Sequence, residues 1–407
     1  MLQLDLIQTL AFCGVALLAG YGLRKLFPVL ARLNMPAAVL GGLLVSVIVW
    51  LAQSRGVTLL KFDTTLQSPL MIAFFTTVGF GASLSLLRVG GRPFVIFLIL
   101  ASVFAVLQNV LGVGVALAFG LHPLFGVLTG SVALTGGPGT AAAFAPDFAA
   151  AGVAAAAPVG IAMAMAGIVC GALIGGPVIT WLIHRNRLQG PGVGAPVVGS
   201  ALVDDGVEAE SVQSGGGAED DEEVFPLLKS VIALLVAMWL GSYLGAGFAM
   251  IHIKLPAYIG AMLVAALIRN LDDYFGWFGL SHRVLDSIGA IALSLFLSMA
   301  LMNLHLWEIA GLALPLIVGL LLQVLLIIAA AAFVLRAMGR DYEAAVMSGG
   351  FIGFMLGTTA NAMAVMRTLV ERYGAAPRAF LVAPLVGAFF IDFVNSLIIT
   401  ASINLFK

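Results

Sequence analysis

The 407-residue chain draws 61% of its residues from the apolar set A, V, I, L, M, F, W, Y and C, only 10% are charged, and its mean hydropathy is +1.12. Water-soluble domains carry about 25% charged residues, so this composition describes an integral membrane protein. Nineteen Lys and Arg against twenty Asp and Glu leave a net charge of −1, which excludes nucleic-acid binding by bulk positive charge.

Crossing a bilayer as a helix takes roughly 20 apolar residues. In chain order that length predicts spans at 4–23, 35–53, 69–87, 93–119 and 152–183, then at 227–251, 255–271, 284–304, 309–335 and 379–405. The first apolar stretch follows Asp5 and carries Arg24 and Lys25 after it rather than before it, so it reads as a retained span and not as a cleavable leader. Between the two sets of five lies 185–226, rich in Gly, Pro, Ser and acids and ending in EDDEE at 219–223. Too few large apolar residues are present there to bury a core, and the segment reads as a solvated linker. Predicted units are therefore a first membrane repeat at 1–184, the linker at 185–226 and a second repeat at 227–407.

With the N-terminus outside, ten spans put fifteen of the nineteen Lys and Arg on the cytoplasmic side, among them Arg24, Lys25, Arg88, Arg185, Arg269 and Arg336. Arg55, Lys61, Lys254 and Lys407 fall outside. Cytoplasmic loops are enriched in Lys and Arg, so both termini are expected outside and the linker inside.

The halves echo each other at an offset of about 220 residues: NMP at 34–36 lies over KLP at 254–256, LQ at 107–108 over LQ at 322–323, and VLTGSVALTGGPGTAAAF at 127–144 over VMSGGFIGFMLGTTANAM at 346–363. An odd number of spans per half makes the repeats opposite in orientation, a construction common in secondary transporters. Two segments, about 121–148 and 342–372, are apolar but carry polar, glycine-rich centres: Thr135 to Thr140 in one and Gly357 to Asn361 in the other. Each flank is too short to cross, and irregular backbone at membrane depth is tolerated only where it lines a protein cavity. Both read as re-entrant helical hairpins entering from opposite faces. The expected fold is thus all-α, with ten transmembrane helices in two inverted-topology repeats, each carrying one hairpin.

Opposed half-helix N-termini present unpaired N–H groups and the positive dipole end, a setting for an anion. Candidate substrate-binding residues are accordingly Ser131, Thr135, Gly136, Gly137, Thr140, Thr358, Thr359 and Asn361. Among the acids outside the linker, only Asp392 lies within an apolar run, FIDFVN at 390–395. A carboxylate in the bilayer costs about 2.5 kcal/mol or more and by default marks a functional residue. Asn395, three residues on, adds a carbonyl oxygen on the same helix face; Gln108 and Asn109 supply further amides. These four are the candidate ion-coupling residues. The five histidines fall at span edges, and lone Cys13 and Cys170 read as small packing residues. No HExxH, no GxxxxGK[ST] and no second buried Asp is present, which argues against an enzyme. An ion channel, which also uses re-entrant loops, is the weaker alternative.

PLMIAFF at 69–75, TGGPGT at 135–140, ALIGGP at 172–177, ERYG at 371–374 and PLVGAFFIDFVN at 384–395 together give a chain that resembles the sodium/glutamate symporter family of bacterial inner membranes. The resemblance implies sodium-driven glutamate import with sodium as the coupling ion, and a homodimer whose transport domain moves against a scaffold. Pro138 stands where the family has histidine, and SGGFIGF at 348–354 departs from its AGHCGF. A sodium- or proton-coupled carrier of another amino acid or carboxylate is the alternative expectation. The partners expected are the lipid bilayer and a small anionic amino acid or carboxylate, with no nucleic acid.

Overall fold

The computed structural model describes residues 2–53, 60–153, 155–191, 219–250, 257–276, 279–304 and 311–406. Most of the linker, including Gly216, and the KLP triplet at 254–256 lie outside the described residues. One two-residue parallel pairing, Leu2 with Leu60 and Gln3 with Lys61, joins β1 (Leu2–Gln3) to β2 (Leu60–Lys61). Every other regular element described is helical.

In order these are α1 (Leu6–Leu26), α2 (Pro28–Arg32), α3 (Ala37–Gln53), α4 (Gln67–Gly81), α5 (Leu84–Ala118), α6 (Pro123–Val127), α7 (Gly137–Ala150) and α8 (Ala156–Arg185). After the linker come α9 (Glu219–Met250), α10 (Ala257–Phe275), α11 (His282–Met302), α12 (Ala313–Ala337), α13 (Tyr342–Met355), α14 (Thr359–Tyr373), α15 (Pro377–Leu385) and α16 (Ile391–Phe406). Helix ends follow local chemistry. Asp5 accepts from the Gln8 backbone at 2.8 Å while Gln8 Oε1 accepts from the Asp5 backbone at 3.1 Å, a reciprocal cap that opens α1. Asp341 caps α13 through Ala344 N at 2.7 Å.

Among the described residues, six helical stretches are long and apolar enough to cross a membrane: Leu6–Leu26, Gly90–Ala118, Ala156–Arg185, Leu227–Phe248, His282–Met302 and Ala313–Ala337. The chain is therefore a multi-pass membrane protein. The other four predicted spans are present as helices that are shorter, more charged or interrupted. α3 has 17 residues and α4 has 15; α10 carries Arg269, Asp272 and Asp273 near its end; the last span is divided between α15 and α16 by a π-helical stretch at Val386–Phe390. The third span was expected to run to residue 87, but α4 stops at Gly81. Ser83 starts a new helix by accepting from Ser85 N at 3.2 Å, and Gly91, at φ 60° and ψ −155°, breaks that helix before the long stretch from Pro93 onward. Only glycine adopts that backbone readily.

Large side chains such as Leu18, Leu235, Trp239, Leu321 and Leu325 are exposed, as lipid-facing positions require. Inside, small residues let backbones meet: Gly20 packs on Ala37 and Gly41 between α1 and α3, and Gly112 on Gly126 between α5 and α6. Two aromatic-rich cores result. Phe97, Phe104, Phe351 and Phe354 stack edge to face around α13, while around α7 Phe144 meets Phe75 and Tyr258 edge to face and those two rings pack tilted on each other.

Candidate functional site

The two glycine-rich segments each form a broken helix that doubles back. In the first, α6 continues through a π-helical turn at Leu128–Val132, and the chain bends at Thr135 and Gly136 before α7 begins. Both arms reach the same point of α8: a Cβ added to Gly160 would lie 3.0 Å from Leu128 Cδ1 and 3.1 Å from Ala141 Cβ. In the second, α13 stops at Met355, Thr358 caps α14 through Asn361 N at 3.4 Å, and Gly353 packs directly on Ala362 of the returning arm. The bends of the two segments meet. A Cβ added to Gly137 would lie 3.5 Å from the Gly357 carbonyl oxygen and 3.7 Å from Thr358 Cγ2. Gly137 itself sits at φ 69°, a conformation that side chains other than glycine's disfavour.

Where the bends meet, a cavity of about 420 Å³ opens. Thr135, Gly136, Pro138 and Gly139 line it from the first segment, and Gly357, Thr358, Thr359 and Ala360 from the second. The N-terminal ends of α7 and α14 therefore both face it, bringing two positive dipole ends to one space. Pro138, in the first turn of α7, is tolerated because the amides there have no intrahelical partner. It also removes one N–H from this tip, leaving Gly137 and Gly139 as the flanking amide donors.

Of the expected substrate residues, Thr135, Gly136, Thr358 and Thr359 line the cavity; Ser131, Thr140 and Asn361 are buried outside the lining, and Gly137 forms the contact between the bends. The hydroxyls are oriented by their own bonds. Thr135 Oγ1 donates to Gln108 Oε1 at 2.6 Å, and Thr359 Oγ1 donates to the Gly387 carbonyl at 2.6 Å. Their protons are thus engaged by the protein, and each leaves its oxygen as an acceptor. The amides at the two helix starts are the N–H groups that face the cavity without an intrahelical partner.

Among the expected ion-coupling residues, Asp392 lines the cavity. It also borders a smaller one of about 260 Å³ with Phe74, Thr77, Val78, Asp286, Gly289 and Ala290. Its carboxylate has no hydrogen-bond or ion-pair partner among the described residues. Asn395, Asn109 and Gln108 lie behind the tips. Gln108 Nε2 donates to the Met355 carbonyl at 2.9 Å while its Oε1 takes the Thr135 proton, so one side chain on α5 ties both broken helices together. Gln323 Nε2 donates to the Gln108 carbonyl at 2.7 Å. Asn109 Oδ1 accepts from Ser131 N at 2.9 Å, and Asn395 Nδ2 donates to the Ser131 carbonyl at 3.0 Å. Ser131 Oγ, Asn361 Oδ1 and Asn395 Oδ1 are buried without a partner among the described residues, and a buried polar atom in that state calls for a ligand or water.

The structure adds residues that the sequence reading passed over. Leu17, Tyr21 and Arg24 of α1, Ala37 and Ala38 of α3, Leu293, Ser294 and Leu297 of α11, and Gly387 also line the cavity. Arg24 had been counted only as a loop charge. Its spacing of three and seven residues from Tyr21 and Leu17 places all three on one helix face, and that periodicity was the available signal.

The family model described as Sodium/glutamate symporter matches residues 2–375. Over 397 residues the chain is 37% identical to the sodium/glutamate symporter of Haemophilus influenzae, covering 97% of this chain and 96% of the relative. It is 36% identical over 404 residues to the sodium/glutamate symporter of Escherichia coli K12, covering 98% and 97%, and equally so to that of Shigella flexneri. With the matches running through both broken helices and the cavity they enclose, the chain belongs to the sodium/glutamate symporter family.

Proposed function

We propose that the protein is a sodium-coupled glutamate symporter of the bacterial inner membrane that works by alternating access. The observation that carries this reading is a single cavity faced by two helix N-termini and by the unpartnered Asp392. Amides at Gly137, Gly139, Thr359 and Ala360 suit the substrate carboxylate. The outward-facing oxygens of Thr135 and Thr359 suit its ammonium group. Sodium, a hard cation transported with the substrate, suits carboxylate and carbonyl oxygens; Asp392 and the unpartnered Oδ1 of Asn395 are the residues we assign to it, with Asn109 and Gln108 holding the tips in place. Ser131, Thr140 and Asn361 support the tips from behind.

The same reading takes the two broken helices as re-entrant hairpins of two inverted five-span repeats, 1–184 and 227–407, joined by the cytoplasmic linker 185–226, with both termini outside. Support comes from the charge bias and from the meeting of the two bends. Because the cavity wall extends to Tyr21 and Arg24 in the last turns of α1, this conformation is assigned as the cytoplasm-facing one. A homodimer is part of the proposal by family resemblance.

Pro138 and the apolar wall of Leu293, Leu297 and Phe354 favour one second reading, a related carboxylate or a less polar amino acid as substrate. Purified protein in liposomes with an inward sodium gradient, given labelled glutamate, aspartate, neutral amino acids and dicarboxylates in turn, tests both. Concentrative glutamate uptake that collapses with the gradient is expected. Conductance without accumulation would point to a channel, and uptake driven by a pH gradient in sodium-free buffer to proton coupling.

A further inference from the structure

Arg24 is the one lysine or arginine on the cavity wall among the described residues. It is half-buried, and no acidic side chain among the described residues pairs with it. Its neighbour Lys25 is exposed and lies outside the wall, so the two adjacent cations at the end of α1 differ in what they face. A guanidinium on the wall of a largely apolar cavity attracts a carboxylate more strongly than it does in bulk water.

The charges in the cavity give this a direction. Glutamate brings two carboxylates and one ammonium, and Asp392 on the same wall is the residue assigned to the coupling cation, which leaves the substrate's second carboxylate without a full positive charge to meet it. The hairpin tips supply partial charges only, and they are placed for one carboxylate.

We infer that Arg24 makes the cavity selective for dicarboxylic over neutral amino acids, by pairing with the carboxylate that the hairpin tips do not hold. This rests on the symport reading above and adds to it the residue that sets substrate charge. Arg24 is fixed on α1, which packs on α3 through Gly20 and Gly41, whereas the tips belong to the broken helices. Relative motion of these two groups would therefore make and break the pairing during the cycle.

The experiment measures sodium-driven uptake of labelled glutamate in liposomes and its inhibition by unlabelled glutamate and unlabelled glutamine. It compares the unmodified protein with Arg24→Gln, Arg24→Lys and Lys25→Gln. Arg24→Gln should raise the KM for glutamate about tenfold or more and shrink the glutamine-to-glutamate ratio of half-inhibitory concentrations by a similar factor, with a smaller change in maximal rate. Arg24→Lys should recover part of both, and Lys25→Gln should leave both unchanged. An unchanged ratio in Arg24→Gln overturns the inference and marks Arg24 as an interface anchor. An equal loss in Lys25→Gln also overturns it, as that is a surface-charge effect. Should Arg24→Gln fail to elute as a single species in detergent, the ratio measured for Arg24→Lys decides: unaltered selectivity with unaltered KM overturns the inference. Failure of the unmodified protein to accumulate glutamate would instead sink the symport reading itself.

Discussion

Gly137 and Thr358, one at the start of each returning helix, stand in van der Waals reach of each other: a Cβ on Gly137 would lie 3.7 Å from Thr358 Cγ2. A cysteine at 358 carries its sulfur one bond beyond Cβ, as Cγ2 is, which brings it within reach of a sulfur on residue 137. In a protein with Cys13 and Cys170 replaced, the pair Gly137→Cys and Thr358→Cys should form an intramolecular cross-link under mild oxidation. The left-handed backbone at Gly137 adds strain of about 1–2 kcal/mol, which the fold should tolerate. The cross-link should stop uptake, reduction should restore it, and neither single cysteine should cross-link. If no bond forms with or without substrate and sodium, the tips do not meet.

Gln108 is satisfied at both ends of its side chain by the two broken helices. Gln108→Leu leaves the Thr135 hydroxyl and the Met355 carbonyl without this partner, at about 1–3 kcal/mol for each buried group. The expected outcome is a Tm in detergent lowered by several degrees, with the glutamate-to-glutamine preference of any residual uptake intact. Gln323→Leu should lower the Tm less, because it removes one bond, from Gln323 Nε2 to the Gln108 carbonyl. A fall in selectivity without loss of Tm would show that Gln108 contacts substrate rather than bracing the tips.

Much of this arrangement was legible beforehand, and the reasons differ by residue. The broken segments announced themselves because glycine and threonine at 135–140 and 357–359 interrupt runs too short to cross, and both breaks occur where expected. Asp392 stood out because a lone acid in an apolar run is costly. What the sequence could not convey is which side-chain atoms are already engaged. The protons of Thr135 and Thr359 go to Gln108 and Gly387; such pairings join positions far apart in the chain or across a bend. Arg24 was hidden for a related reason. At a helix end its charge explains itself as a membrane-interface signal, and only packing of α1 on α3 shows that this face looks into the cavity. The end of α4 at Gly81 was misplaced because Leu84, Leu86 and Leu87 continue the apolar count past a backbone break that hydropathy does not register.

The orientation proposal predicts the sidedness of the linker. With fifteen of nineteen basic residues assigned to one face, a cysteine at Gly216 in a protein with Cys13 and Cys170 replaced should react with a membrane-impermeant maleimide only in inverted vesicles or permeabilised cells. Labelling in intact cells would reverse the topology and with it the assignment of this conformation as cytoplasm-facing. It would leave the contact between Gly137 and Thr358 untouched, since that contact does not depend on which face is which.

Asp392 gives the most direct test of ion coupling. Its carboxylate borders two cavities and has no partner among the described residues, a state that is expensive within the bilayer unless a cation is bound or the group is protonated. Asp392→Asn keeps the shape and one oxygen but removes the charge. A neutral amide there costs less than an unpaired carboxylate, so the variant should fold, with a Tm in sodium-free buffer equal to or above that of the unmodified protein. Sodium should raise the Tm of the unmodified protein, because a ligand that binds the native state stabilises it by mass action. That rise should vanish or move to at least tenfold higher sodium in Asp392→Asn, and concentrative glutamate uptake should be lost with it. Asp392→Glu, which restores the charge on a longer side chain, should recover sodium stabilisation in part. If Asp392→Asn instead transports normally at every sodium concentration, the carboxylate is not the coupling ligand, and the unpartnered oxygens of Ser131, Asn361 and Asn395 become the groups around which the ion must be sought.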